Sequence, residues 1–228
     1  MQTRRSTVHA TTAPSGGTYP RIKRAVDVVA AISALVLLSP LMAVITVAVL
    51  VSQGRPVLFR QRRTGLHGST FTMLKFRSMR EDRDGTGTAS DHLRVTAVGR
   101  ILRATSLDEL PNLVNVVRGE MSIIGPRPML AAFIEHHSAD HHERRHDVRP
   151  GITGLAQVSG RNDLEYVERF EYDLEYVRKC SPGLDLVILA RTVPAVLLRR
   201  GASGSEPCDL AATDREPEQT SSDVAVAA

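Results

Sequence analysis

Two adjacent carboxylates, Asp108 and Glu109, stand between a basic flank and a proline-bounded turn in the stretch TAVGRILRATSLDELPNLVNVVRGEMSIIGPRP, residues 96–128. Arg100 and Arg103 precede them, and Gly125-Pro126-Arg127-Pro128 follows. Phosphoryl chemistry is one reason for such a grouping. An aspartate can attack phosphorus, and an arginine can hold phosphate oxygens in a two-pronged grip. The same residues also fit a helix start. Ser106 would cap the helix, Glu109 would reach back to its backbone, and Asp108 would favour the positive end of the dipole. Leu107, Leu110, Val114 and Val117 repeat at helical spacing and would bury one face. Pro111 conflicts with a plain helix and should distort its first turn. On local pattern alone both readings stand.

The elements that must position these residues begin with a membrane segment. Residues 1–20 are polar, carry Pro14, Ser15, Gly16 and Gly17, and read as a disordered tail. Residues 25–51 are apolar throughout except for Asp27. That is long enough for one bilayer span of roughly 20 residues. Ser39-Pro40 interrupts its middle, where proline favours a kink. Arg21, Lys23 and Arg24 precede the segment, and Arg55, Arg60, Arg62 and Arg63 follow it. Flanking positive charge marks the cytoplasmic side, so both ends inside would mean that the chain enters and returns. Each arm would have about 13 residues, or roughly 20 Å, near the depth of one leaflet. The carbonyl freed at the bend needs a partner, and Ser39 could supply one. Asp27 is expected to pair with Lys23 or Arg24 as a structural ion pair.

Val57 to Arg62 and Thr70 to Ser78 read as the strands of a hairpin, with a turn at Thr64-Gly65-Leu66-His67-Gly68. Alternation puts Met73, Lys75 and Arg77 on one face of the second strand, so Lys75 and Arg77 project together. Residues 80–92 are polar and glycine-rich and read as a loop that could order over a substrate. Residues 128–147 read as a polar helix with His136, His137, His141, His142 and His146. His137 and His141 are one turn apart, but Glu143, Arg144 and Arg145 mark a solvated face rather than a zinc site. Arg149 to Gly154 should form a rigid loop, and Leu155 to Val158 is short and strand-like. Residues 163–179 form an amphipathic helix with Leu164, Val167, Phe170, Leu174 and Val177 on one face. Residues 184–200 form a surface-lying helix, and the chain beyond 201 reads as a second tail.

Composition narrows the partners. The chain has 228 residues and a formal charge of +4, with a pI near 9.4. An anionic partner is therefore expected. Nucleic acid is disfavoured, because no such module is visible and aromatic residues make up only 4%. Cys180 and Cys208 have no metal-site spacing and read as free thiols in a reducing compartment.

The string SLDELPNLVNVVRGEMSIIGPRP closely resembles the bacterial sugar transferase family, the monotopic phosphoglycosyl transferases. FRQRRTG (59–65), KFRSM (75–79), RPGITG (149–154) and GRN (160–162) match further motifs in the family's order. The resemblance spans nearly all of the chain except its tails. It implies an α+β, mainly helical, monotopic membrane protein. The re-entrant helix (21–54) would break at Ser39-Pro40, and a catalytic domain (55–200) would carry a small β-hairpin and amphipathic interfacial helices. It also implies a phosphotransferase on the cytoplasmic face of the bacterial inner membrane. The reaction would move sugar-1-phosphate from a UDP-sugar to polyprenyl (undecaprenyl) phosphate, releasing UMP, early in exopolysaccharide or capsule synthesis. Asp108 would be the nucleophile and Glu109 a Mg²⁺ ligand. Arg127, Arg103, Lys75, Arg77 and Arg161 would face phosphate or nucleotide. The chain departs from the family at Leu155, usually tryptophan, an amphipathic ring suited to a membrane interface. Asn112 stands where glutamine is usual. Two alternatives remain: a one-step enzyme in which Asp108 and Glu109 only hold metal, and a non-catalytic membrane scaffold. The sugar and any homo-oligomer are not legible.

Overall fold

One helix, α1 (Thr18–Gln53), carries the whole apolar segment. The computed structural model describes residues 18–80, 94–130, 144–160 and 164–197. The helix starts inside the stretch read as a tail, and Tyr19 donates a hydrogen bond of 2.5 Å to Asp185. Pro40 lies within the helix, which is continuous on both sides of it. The expected break at Ser39-Pro40 does not divide the segment into two separate helices, although a proline inside a helix still lets it bend there. Pro40 cannot donate to the Val36 carbonyl, four residues back. The Ser39 hydroxyl donates to that carbonyl instead, at 2.8 Å. The lost bond is replaced locally, and the helix carries on.

One face of α1 belongs to the protein core. Ala31 packs with Phe71, Met73, Leu113, Val116 and Met121. Ile45 and Val49 pack with Phe76 and Leu102. The other face is bare: Val36, Leu37 and Val51 are 70%, 79% and 82% exposed. In the most apolar stretch, mean hydropathy is 2.7 and only 11% is buried. An apolar face of this length needs lipid rather than water, so α1 is a membrane-associated segment. Asp27 is buried, lies 3.8 Å from Lys23, and accepts a hydrogen bond from Ser122 at 2.7 Å. The expected ion pair is present, and it also ties α1 to the domain.

The hairpin forms as expected from β1 (Leu58–Thr64) and β2 (Thr70–Phe76). Next come α2 (Ala97–Thr105) and a 3₁₀ turn (Leu107–Glu109). Then follow α3 (Asn112–Arg118) and β3 (Ser122–Ile124). Parallel to β3 runs β4 (Gly151–Thr153). The described residues end in α4 (Leu155–Ser159), α5 (Tyr166–Lys179) and α6 (Pro182–Leu197). Two small two-stranded sheets among helices make this an α+β, mainly helical fold.

Four local readings need correction. Ser106 does not begin a helix; it ends α2 in the left-handed region, at φ 57°. No capping box forms there, because the Glu109 side chain turns away to Lys75 and Arg127. Pro111 delays the helix until Asn112, so the buried face of α3 is Asn112, Leu113, Asn115 and Val116. Leu155 to Val158 is helical rather than strand-like. Gly154 approaches the Gly125 carbonyl too closely for a Cβ, so the chain must turn away from the sheet there. In α5, Val167 is exposed while Asp173, Tyr176 and Val177 are buried. Leu155 is itself buried, with Ile124, Tyr176 and Ile188. At this position the side chain fills core space and does not face a membrane interface. In α6, Leu186, Val187, Leu189 and Val193 are exposed, as a surface-lying helix requires.

Several readings fall outside the described residues: all but the first residue of the 80–92 loop, His136, His137, His141, His142, Cys208 and Arg161. Residues 144–147, read as the end of a polar helix, form a 3₁₀ turn that holds His146. Cys180 is a free thiol.

Asn115 closes the open edge of β2. Fully buried, it donates to the Thr72 carbonyl at 2.7 Å and accepts from the Leu74 amide at 3.2 Å. The side chain thus substitutes for a third strand. Asn115→Ala would leave the Leu74 amide buried without a partner and the Thr72 carbonyl without this donor. We expect it to destabilise the protein by about 1–3 kcal/mol, read as a lowered Tm in native-like lipid. An unchanged Tm would refute this role.

Candidate active site

The site is built where the chain reverses after α2. Ser106 in the left-handed region turns the backbone, and the 3₁₀ turn presents two successive carboxylates. A non-glycine residue there is strained, and such strain gathers at functional sites. Asp108 is 8% exposed. No described residue donates a hydrogen bond to it, so its oxygens are not committed elsewhere.

Glu109 is differently held. Its Oε1 lies 3.1 Å from Lys75 Nζ and accepts a hydrogen bond from Arg127 at 3.0 Å. Lys75 comes from β2, paired with Phe59 of β1. Arg127 comes from the Gly125–Pro128 loop. Gly125 N donates to Thr153 O at 2.9 Å, and Gly151 N donates to Pro126 O at 2.8 Å. These backbones cross so closely that a Cβ on Gly151 would lie 2.1 Å from Gly125 N. The two motifs Gly-Pro-Arg-Pro and Arg-Pro-Gly-Ile-Thr-Gly are therefore one interlocked unit.

Arg103 enters from α2. It donates to Ser78 Oγ at 3.0 Å and contacts Met79 Sδ at 2.9 Å. Gly99 sets this approach, since a Cβ there would lie 1.8 Å from the Ser78 carbonyl. Arg103 has no carboxylate in salt-bridge reach among the described residues, yet its charge acts on Asp108. Lys75, Arg103 and Arg127 thus converge on the two carboxylates.

Arg77 has another task. It is buried, and it donates to the carbonyls of Gln53, Gly54 at 3.1 Å and Arg55 at 3.2 Å. These carbonyls lie at and just beyond the C-terminus of α1, where helix geometry leaves acceptors unpaired and the dipole favours a cation. Arg77 braces the membrane helix rather than projecting beside Lys75. Asn115 and Arg63 are site-building residues that pattern reading missed. Arg63, 2% exposed, donates to the Pro128 carbonyl at 3.0 Å and so holds the loop after Arg127. Only its position inside the FRQRRTG string hinted at a role.

The environment splits the two carboxylates. Burial, then the neighbouring Glu109 charge, raises Asp108 to about 6 against the pull of Lys75, Arg103 and Arg127. Burial also pushes Glu109 up, but Arg127 and Lys75 outweigh it and hold Glu109 at about 2. At neutral pH both are ionised, and Asp108 is the more basic. A buried, basic and uncommitted carboxylate suits nucleophilic attack on an electrophile.

Among the described residues, no three His, Cys, Asp or Glu side chains converge. The described residues therefore offer a metal no more than this carboxylate pair. That donor set fits Mg²⁺, which takes one or two carboxylates and completes its shell with phosphates and water. Glu109 Oε2, left open by Lys75 and Arg127, is the available ligand.

In metal-free protein, Asp108 should titrate near pH 6. Glu109→Gln removes the adjacent negative charge and should move that titration to lower pH. Carboxyl ¹³C NMR in chelator-treated protein checks both. A titration that stays in place would disprove the coupling.

Known proteins resemble this chain over most of its length. The family described as bacterial sugar transferase matches residues 18–199. The chain is 44% identical over 181 residues to an uncharacterised sugar transferase, EpsL, of Bacillus subtilis, covering 79% of this chain and 89% of that protein. It is 43% identical over 208 residues to the exopolysaccharide production protein ExoY of Rhizobium meliloti, covering 83% and 90%. It is 45% identical over 197 residues to the UDP-glucose:undecaprenyl-phosphate glucose-1-phosphate transferase of Caulobacter vibrioides, covering 80% and 74%. With an ionised, cation-ringed carboxylate pair built on a membrane-associated helix, the chain belongs to the bacterial sugar transferase family.

Proposed function

We propose that this protein transfers sugar-1-phosphate from a UDP-sugar to undecaprenyl phosphate, giving undecaprenyl-diphosphate-sugar and UMP. The pairing of Asp108 with a charge-neutralised Glu109, beneath three cations, carries the proposal. The Caulobacter relative, named for this reaction with UDP-glucose, supports the substrate class.

The reaction proceeds in two steps. An Asp108 oxygen forms a bond to the sugar-bearing β-phosphorus. The bridging P–O bond breaks, and UMP leaves with the bridging oxygen. An undecaprenyl phosphate oxygen then attacks the same phosphorus, and the Asp108 carboxylate is restored. Bringing anions together at this range is opposed by Coulomb repulsion. Arg127 exchanges Glu109 for a phosphate oxygen, and Arg103, with no carboxylate in reach among the described residues, holds the nucleotide side. Lys75 keeps Glu109 neutralised when Arg127 leaves it. Mg²⁺ held at Glu109, when bound, would supply further charge neutralisation at the diphosphate.

UMP release from a panel of UDP-sugars, with Mg²⁺ and undecaprenyl phosphate, tests the reaction. Wild type should release UMP with one sugar, and Asp108→Asn should lose at least about a thousandfold in rate while staying folded and membrane-bound. Radiolabelled sugar should remain on wild-type protein when the lipid acceptor is omitted. No trapped label with intact turnover would favour a one-step reaction, and full activity of Asp108→Asn would sink the mechanism.

We further infer that α1 is re-entrant, with both ends on the cytoplasmic face of the inner membrane. Both ends bind the same domain: Lys23 pairs with Asp185 at 2.7 Å, and Gln53 donates to the Arg77 carbonyl at 2.9 Å. Single cysteines at Thr18 and Ser52, in a background lacking Cys180 and Cys208, should both resist an impermeant maleimide in intact cells and react in inverted vesicles. Labelling of the two from opposite sides would make α1 a span.

A further inference from the structure

Arg127 meets Glu109 through its side chain, but its backbone is held from the other side by a buried ion pair. Arg145 lies in the 3₁₀ turn Arg144–Asp147 and is 6% exposed. It donates to the Arg127 carbonyl through Nη2. Its Nε donates to Asp173 Oδ2 at 2.8 Å, and Nη2 lies 2.7 Å from the same oxygen. The Phe170 ring, one turn before Asp173 on α5, sits 5.0 Å from the guanidinium. Asp173 is 2% exposed.

A buried ion pair is a poor device for stability, because desolvation cancels much of the attraction and apolar side chains of similar volume often serve as well. What an apolar side chain cannot do is donate to the Arg127 carbonyl. Arg63 donates to the next carbonyl, that of Pro128. Two buried guanidiniums therefore fix the peptide groups that follow Arg127 and Pro128. Those two contacts hold the backbone after Arg127 and leave its side-chain torsions unconstrained by them. The charges that act most on Asp108 come from Glu109, Lys75, Arg103 and Arg127. Arg145 is not among them, so any influence on catalysis runs through the loop.

We propose that Arg145, clamped by Asp173 and Phe170, is a positioning residue that holds the Arg127 backbone so that its guanidinium can pass from Glu109 to the substrate phosphate without loop motion. The proposal rests on the reading of Arg127 as the phosphate grip. Holding the loop in its bound geometry removes an ordering cost from binding. The effect should therefore appear mainly in KM for the UDP-sugar.

A double-mutant cycle on the full-length protein in native-like lipid tests this. The paired change Arg145→Met with Asp173→Leu removes both charges and leaves neither unpaired in the core. It is made with Arg127 present and in an Arg127→Ala background, and transfer of radiolabelled sugar-1-phosphate is followed. With Arg127 present, KM should rise about tenfold or more with a smaller change in kcat. In the Arg127→Ala background, the same change should alter kcat/KM by less than about threefold. Equal losses in both backgrounds, or no loss with Arg127 present, would overturn the proposal. If the paired variant does not accumulate in membranes, Arg145→Lys replaces it. Lysine keeps a charge for Asp173 but cannot span both the carboxylate and the Arg127 carbonyl in the same plane, so the same background-dependent rise in KM is expected. If Arg127→Ala alone leaves kcat/KM unchanged, the phosphate-grip reading fails instead, and the positioning role with it.

Discussion

The structure depends on keeping two neighbouring carboxylates ionised in a largely buried place. Adjacent negative charges out of water repel, and one of them normally takes up a proton. Here Glu109 is neutralised by Lys75 and Arg127, at 3.1 and 3.0 Å. Of the two, that leaves Asp108 as the carboxylate whose proton affinity is raised. A group that titrates just below neutrality is ionised at pH 7 and still more basic than an exposed aspartate, which is the compromise a nucleophile needs. Lys75 and Arg127 lie 52 positions apart, and neither is local to the carboxylates. The hairpin, the β3–β4 pair and the loop between them can be understood as the means of delivering those two cations to one oxygen.

This division of labour explains what the sequence disclosed. Asp108, Glu109 and Arg127 sit in one unbroken stretch, and Lys75 in a short motif, so their types and order were visible from the chain. The hairpin was visible too, because Thr64 to Gly68 is turn-rich and its flanks alternate. What escaped was three-dimensional. The string Ser106-Leu107-Asp108-Glu109 satisfies a capping-box pattern, yet Ser106 closes the preceding helix, because the cations recruit the Glu109 side chain that a box would need. Arg77 looked like a partner of Lys75 by alternation, but β2 ends at Phe76, and beyond it the unpaired carbonyls of α1 claim the guanidinium. In α5 a count of apolar residues put Val167 inside. The buried Arg145 required Asp173 there instead, and periodicity carries no sign of a polar core position.

Asn115 and Arg63 show the same limit from another side. Asparagine in an apolar helical repeat reads as a weak spot. It is buried because β2 has only β1 beside it, and the amide of Asn115 supplies what a third strand would have offered. Arg63 counts in the sequence as one of the positive charges flanking the membrane segment, but it is turned inward onto the Pro128 carbonyl and the Gln61 side chain. In both cases a polar group is buried because a backbone group elsewhere lacks a partner. Such demands arise from topology, and no local window contains them.

The same accounting reaches the membrane helix. Arg24 of α1 donates to the carbonyls of Val116 and Val117, at 2.6 and 3.0 Å, where α3 ends; the Val116 carbonyl also accepts from the Gly119 amide. At the other end, Arg77 closes the carbonyls that follow α1. Between these two points α1 supplies Ala31, Ile45 and Val49 to the cores beneath β2, α2 and α3. The elements that carry Lys75, Arg103 and the carboxylate pair are thus packed directly on the helix whose other face is bare and apolar. The membrane segment is a wall of the active domain rather than a tether. A shift of α1 relative to lipid would carry the site with it, because no flexible linker intervenes between the two. For a reaction that joins a water-soluble donor to a lipid-dissolved acceptor, this rigid sharing of core residues fixes the height at which the two substrates must meet.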